Sequence, residues 1–184
     1  MTFFVRPATP DDALAIETVR IQTWKFAYRD AMPDAFLDGL AVTDENVRLR
    51  TRALGSGRTR AFVAVSAGTE KDAPEGTDEV APGGAGADAV VGFSMFGESR
   101  DDRADTEVYA IYVLPGHLST GLGRALMATT VEAIPTERTI GLWVLSANPR
   151  ARRFYERFGF VESGFSKVED GMEEIHYRLA ARSE

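Results

Sequence analysis

The sequence predicts a mixed α/β (α+β) fold: a mostly antiparallel sheet with one central parallel strand pair and helices on its faces. Two observations carry this. The middle of the chain runs strand, helix, strand, helix through TEVYAIYVLP, STGLGRALMATTVEAI, TIGLWVL and NPRARRFYERFG. Strands joined through a helix lie parallel, and the right-handed crossover rule sets that helix on one face of the sheet. The other β-rich runs come as neighbours joined by turn-forming residues, which is the pattern of antiparallel hairpins.

FFVRPAT reads as a short opening strand. Thr9, or Asp11 after Pro10, can cap the next helix, where Leu14, Ile16, Val19, Ile21 and Trp24 recur at roughly helical spacing. MPDAFLDGL is a second helical piece, with Pro33 near its start and Gly39 near its end. A third helix is expected from Thr43 to about Leu54, stopped by Gly55-Ser56-Gly57. RAFVAVSAG is apolar and β-rich. The composition then shifts to GTEKDAPEGTDEVAPGGAGADA, which has almost nothing to bury. Residues 69–88 therefore read as a flexible insertion in the turn of a hairpin, because AVVGFSMFGES resumes as a strand.

TEVYAIYVLP ends at Pro115, and the amphipathic helix after it stops at Pro135. TIGLWVL is nearly all apolar, as a strand covered on both faces would be. In NPRARRFYERFG, Asn148 suits an N-cap, Pro149 the first helical position and Gly159 the end. FVESGFSKV and MEEIHYRLA, linked by the turn EDG, close the chain as two strands. There is no internal repeat, and residues 1–184 read as a single domain.

With 44% hydrophobic and 27% charged residues, the chain has the composition of a soluble globular protein. Its net charge of −7 argues against generic affinity for nucleic acid and permits a cationic or amine-bearing substrate. Cysteine is absent, which excludes disulfides, thiolate metal sites and an acyl-cysteine intermediate. His117 and His176 form no metal spacing, so no metal is expected. No Gly-x-Ser-x-Gly elbow supports a serine hydrolase. The apolar run after Met1 is too short for a secretory signal. The longest uncharged run, Val108 to Gly123, holds Pro115 and three glycines and would not span a bilayer. A cytoplasmic location without membrane contact is the expectation.

The loop LSTGLGRA points backbone N–H groups at one spot. It lacks the Gly-Lys-Ser/Thr ending of a Walker loop. It also lacks the third glycine of a dinucleotide fingerprint, since Leu126 stands there, and WVLSAN ends the next strand without an acid. An anion seat at a helix N-terminus remains, as does a plain tight turn, and the loop alone leaves both open. NPRARRFYERFGF follows about twenty-five residues later. Asn148, Ala151 and Tyr155 stand at i, i+3 and i+7, on one helix face. Phe154 and Phe158 lie on an adjoining face that packs into the sheet. Capping alone accounts for Asn148 and packing alone for Tyr155; the two motifs in this order say more than either.

Together they resemble the GNAT superfamily of acyl-CoA-dependent N-acyltransferases. AIYVLPGHLSTGLGRALM is similar to its central motif and NPRARRFYERFGF to its second, while residues 5–40 are similar to the N-terminal helices of many members. The resemblance implies that the parallel pair is splayed. It implies acetyl-CoA as the acetyl donor, with backbone groups of Ile111, Tyr112 and Val113 pairing with the pantetheine arm. Amides of Ser119, Thr120, Gly121, Leu122, Gly123 and Arg124 would hold the pyrophosphate. Asn148 would bind the cofactor arm and Tyr155 would face its sulfur. Leu118 and Ser119 depart from the usual Gln or Arg and glycine at the loop head, so a side-chain contribution is lost there while backbone donors survive.

The implied activity is acetyl transfer to a primary amine, on a small molecule, a peptide, a protein N-terminus or a lysine, by direct attack in a ternary complex. Tyr155 is the family-matched acid for the leaving thiolate, and a backbone N–H on the Ile111–Val113 strand is the natural oxyanion donor. Glu107 is the candidate base, acting through water; a solvated residue at a strand entrance is the competing account. Trp24 and Tyr28, four apart on one helix, are candidates to wall the acceptor site, with core packing open for at least one. Glu98, Asp101, Asp102 and Asp105 form an acidic patch beside it. The alternative to an enzyme is an acyl-CoA-binding sensor with little turnover. A homodimer fits the resemblance, though no feature of the sequence demands one.

Overall fold

The computed structural model describes residues 2–29, 32–66, 89–169 and 171–182. Its seven strands are β1 (Phe3–Pro7), β2 (Thr59–Ser66), β3 (Ala89–Glu98), β4 (Thr106–Val113), β5 (Ile140–Leu145), β6 (Val161–Glu169) and β7 (Met172–Leu179). They form one sheet in the order β1-β2-β3-β4-β5-β7-β6. Every neighbouring pair is antiparallel except β4 and β5. Among the described residues the α-helices are α1 (Ala13–Ala27), α2 (Asp34–Gly39), α3 (Asp44–Gly55), α4 (Leu122–Glu132) and α5 (Pro149–Glu156).

The alternation along β2 shows how the two faces are used, because successive side chains point to opposite sides. Ala61, Val63 and Val65 pack with Ile16 and Val19 of α1. Phe62 and Ala64 pack with Leu122, Leu126 and Met127 of α4. Two apolar layers thus sandwich the sheet, as the strand–helix–strand order requires. Leu14, expected among the apolar positions of α1, is half exposed, and Ile16, Val19 and Ile21 carry the buried face. The helix begins one turn later than its cap residues suggest, since Pro10–Asp12 form a 3-10 turn.

The feature that matters for function is where β4 and β5 stop pairing. They meet at Thr106–Ile140 and Glu107–Gly141 and then part. On its other edge β4 stays paired with β3, but the register shifts: Met95 opposes Ala110 and Phe96 opposes Val108, leaving Tyr109 as an extra residue. A bulge of this kind bends its strand and increases local twist. β7 inserts between β5 and β6, so the final hairpin pairs along β5 rather than along β4. The insertion expected at residues 69–88 lies outside the described residues; Ser66 and Ala89 on either side of it are cross-strand partners.

Candidate functional site

The parting of β4 and β5 opens a cleft of about 1390 Å³, bordered by both strands, the end of α1, the loop before α4, and α5. Ile111, Tyr112 and Val113 border it on the strand side. Their β4 edge has no β5 partner there, which leaves peptide groups facing the cleft.

The loop at one end has a backbone conformation suited to an anion. Ser119 (φ 65°) and Gly121 (φ 90°) both adopt left-handed backbone and bracket Thr120. Successive N–H groups in such a turn converge to form a nest for negative charge. Gly121 then caps α4 without a side chain, and no acidic residue occupies the first turn of the helix, so its N-terminal amides keep their positive potential. Ser119, Gly121, Gly123 and Arg124 border the cleft. The Leu122 side chain is wholly buried in the core, so only its backbone can serve an anion. The Thr120 hydroxyl donates to the His117 carbonyl over 2.7 Å, and Ser119 Oγ accepts from Arg150 over 3.3 Å. Both hydroxyls therefore shape the loop. Arg150 also ties α5 to it, a link the sequence did not signal.

Asn148 accepts a bond from the Ala151 amide over 3.0 Å and so caps α5 as its sequence position implies. Its side chain also lies against the Tyr28 hydroxyl. Tyr155 is 9% exposed and borders the cleft. Burial, and then the neighbouring hydroxyls of Tyr112 and Tyr28, push its phenol well above the ordinary tyrosine value. It stays protonated and keeps a proton to donate. Trp24 and Tyr28 meet edge to face at 5.0 Å, and the Trp24 indole N–H donates to the Tyr112 hydroxyl. The structure thus gathers Trp24, Tyr28, Tyr112, Asn148 and Tyr155 at one end of the cleft.

Glu107 is not among them. It precedes the divergence, where β4 still pairs with β5, and it is 2% exposed. Its carboxylate accepts from the Arg100 backbone N–H over 3.0 Å and forms an ion pair with the Arg100 guanidinium. It borders a second pocket of about 300 Å³ whose lining has Trp143 in common with the cleft. Two members of the acidic patch are likewise engaged in local ties. Asp101 accepts from Trp143 Nε1 and Ser99, and Asp105 accepts from the Thr139 amide and hydroxyl. These carboxylates hold the β3–β4 hairpin loop in place.

Two further features escaped the sequence reading. Glu17 of α1 is fully buried and bridges Arg20 and Arg50, joining α1 to α3. Arg50 is 33 residues away, so no local spacing could reveal the pair. His176 is buried with its Nδ1 2.7 Å from Ser163 Oγ, and burial holds its imidazole below the ordinary value, hence neutral. Among the described residues no cluster of three His, Cys, Asp or Glu side chains could hold a metal, and no helix is long and apolar enough to cross a membrane.

The model of the acetyltransferase (GNAT) family matches residues 59–160, from β2 to the end of the α5 motif. That span contains the diverging strands, the nest, Asn148 and Tyr155. The chain belongs to the GNAT family. YuaI, an uncharacterized N-acetyltransferase of Bacillus subtilis, is 28% identical over 79% of this chain and 73% of its own length. An uncharacterized N-acetyltransferase of Mycobacterium tuberculosis is 35% identical over 41% of this chain and 48% of its own. The GNAT fold is shared with an acetyltransferase of Desulfovibrio desulfuricans at a TM-score of 0.64 and 22% identity, covering 98% and 99% of the two chains. It is also shared with the PaiA N-acetyltransferase of Thermoplasma acidophilum, solved with coenzyme A, at a TM-score of 0.61 and 13% identity, covering 97% and 100%.

Proposed function

We propose that this GNAT protein moves an acetyl group from acetyl-CoA to a cytoplasmic primary amine, on a small molecule or a peptide, by direct attack in a ternary complex. The observation that carries the reading is the loss of β4–β5 pairing after Glu107, which opens a cleft with a strand edge along its wall and an amide nest at its end. Those two features suit the two halves of CoA. The peptide edge of Ile111–Val113 matches an arm of alternating amides, and the nest with Arg124, Arg150 and His117 around it matches a pyrophosphate. The PaiA protein, which binds coenzyme A, has the same fold.

Bound acetyl-CoA supplies an activated thioester; the chain's own residues do the rest. A β4 backbone N–H is the donor for the oxygen on which charge develops. Tyr155, held neutral, gives its proton to the departing sulfur. Asn148 positions the arm, and Trp24 and Tyr28 wall the acceptor's end. Glu107 reaches the amine only through water and only after Arg100 withdraws, so its carboxylate is assigned to holding the hairpin loop. Placement of the two substrates accounts for much of the rate.

Release of free CoA thiol from acetyl-CoA, measured across a panel of primary amines and lysine peptides, tests the reading. Amine-dependent release supports it. A thermal shift with CoA and no release with any amine would make the chain a sensor, and no shift at all would overturn both.

A further inference from the structure

The charge lining the cleft is lopsided. Arg29, Arg124, Arg150, Arg157 and His117 border it, while among the described residues a single carboxylate does, Glu174 of β7. Glu174 is paired across to Leu145 of β5 on one side and to Lys167 of β6 on the other. It lies in electrostatic reach of the Tyr28 and Tyr112 hydroxyls, the two that crowd Tyr155. Arg124 and Arg150 gather instead at the N-termini of α4 and α5. Glu174 thus stands on β7, a different element from the two helix N-termini.

An ammonium already sits beside Glu174, reaching it from the smaller pocket that shares Trp143 with the cleft. Lys167 Nζ is 3.1 Å from Glu174, 2.6 Å from Glu169, and 4.7 Å from the centre of the Trp143 ring. Carboxylate oxygens beside an indole face are the surroundings an alkylammonium favours. The Lys167 side chain is 36% exposed and reaches in from an edge strand, so its own ion pairs are of the weak, solvent-screened kind that a competing cation can replace.

We propose that Glu174, backed by Trp143, receives the ammonium of the acceptor, and that Lys167 occupies this seat at rest. Glu174 is then a specificity-determining residue: it selects primary alkylamines that arrive charged and orients them toward Tyr155, and the amine reacts once its proton has gone to water. The role in acetyl transfer rests on the function proposed above, whereas the binding itself does not.

The test follows the Lys167 ammonium resonance in protein with 15N-labelled lysine, identified by its loss in Lys167→Met. Titration with n-butylammonium at millimolar concentration shifts that resonance toward free lysine in the wild type, and not in Glu174→Gln; n-butanol, the neutral isostere, leaves it in place. An unmoved resonance overturns the proposal. No turnover is needed, so displacement of Lys167 in a protein that releases no CoA would sink the acetyl-transfer reading alone. With an amine that does turn over, Glu174→Gln raises its KM about tenfold or more while the KM for acetyl-CoA stays within about twofold, and Lys167→Met lowers the amine KM. An unchanged amine KM in Glu174→Gln also overturns the proposal, the acetyl-CoA KM serving as the check that the variant is folded.

Discussion

The Trp24 indole N–H donates to the Tyr112 hydroxyl over 2.9 Å, joining the last turn of α1 to the strand that borders the cleft. The bond joins residues 88 apart and sets the end of α1 that borders the cleft against β4. Trp24 therefore both borders the cleft and tethers α1 to β4, and Trp24→Phe separates the two. The ring remains but the donor goes, leaving the half-buried Tyr112 hydroxyl without it. The expected cost is about 1–2 kcal/mol, read as a lower urea midpoint. Adding Tyr112→Phe removes the orphaned hydroxyl and recovers part of that loss. A double variant no better than the single one would show that the bond contributes little.

Tyr155 borders the cleft with its phenol neutral, which is the state the proposed acid role needs. Burial and the Tyr112 and Tyr28 hydroxyls raise its phenol above the ordinary value, so the protonated form persists through the alkaline range. Tyr155→Phe should lower kcat by about 10²-fold or more, with a much smaller change in the KM for acetyl-CoA. In the wild type, kcat should show no alkaline limb from this group below roughly pH 10. An unaltered kcat in the variant removes Tyr155 from the acid role.

The parts of the fold that were legible in the sequence are those written locally. The alternation of strand and helix, the stop at Pro115 and the Asn148-Pro149 cap each rest on neighbours a few residues apart, and each element formed where its own residues ask for it. The insertion of β7 between β5 and β6 is a tertiary choice with no local code. Ser119 lies between these cases. Its departure from glycine was visible, but the left-handed φ of 65° that makes glycine the easier residue there was not. Glu107 and Glu174 show the same limit at the site. Both are plain carboxylates in strands, and only the point of β4–β5 divergence decides which one borders the cleft.

Arg100 and the register of β4 hold the Glu107 carboxylate in an ion pair with the hairpin loop. Glu107→Gln loses the ion pair and keeps at most neutral hydrogen bonds to the hairpin loop, a cost of about 2 kcal/mol. The expected result is a lower Tm, with a pH–rate profile that keeps its acid limb. Disappearance of that limb would instead make Glu107 the base and require Arg100 to move during turnover.

Glu17 supplies the clearest link between charge and stability. Burial alone would raise its carboxyl, but hydrogen bonds from Arg20 and Arg50 outweigh this and leave it below the ordinary value. A carboxylate whose pKa is depressed by folding adds stability above its unfolded pKa and loses it as the pH falls through the folded one. The contribution is therefore complete at pH 7 and fades below roughly pH 4. Glu17→Gln leaves two guanidinium groups without their shared counter-charge between α1 and α3, at about 3 kcal/mol. Urea midpoints measured from neutral pH down to the acid range should fall less steeply in Glu17→Gln than in the wild type, the two curves converging in acid. Parallel curves would mean that the Glu17 bridge does not set the acid sensitivity of the fold.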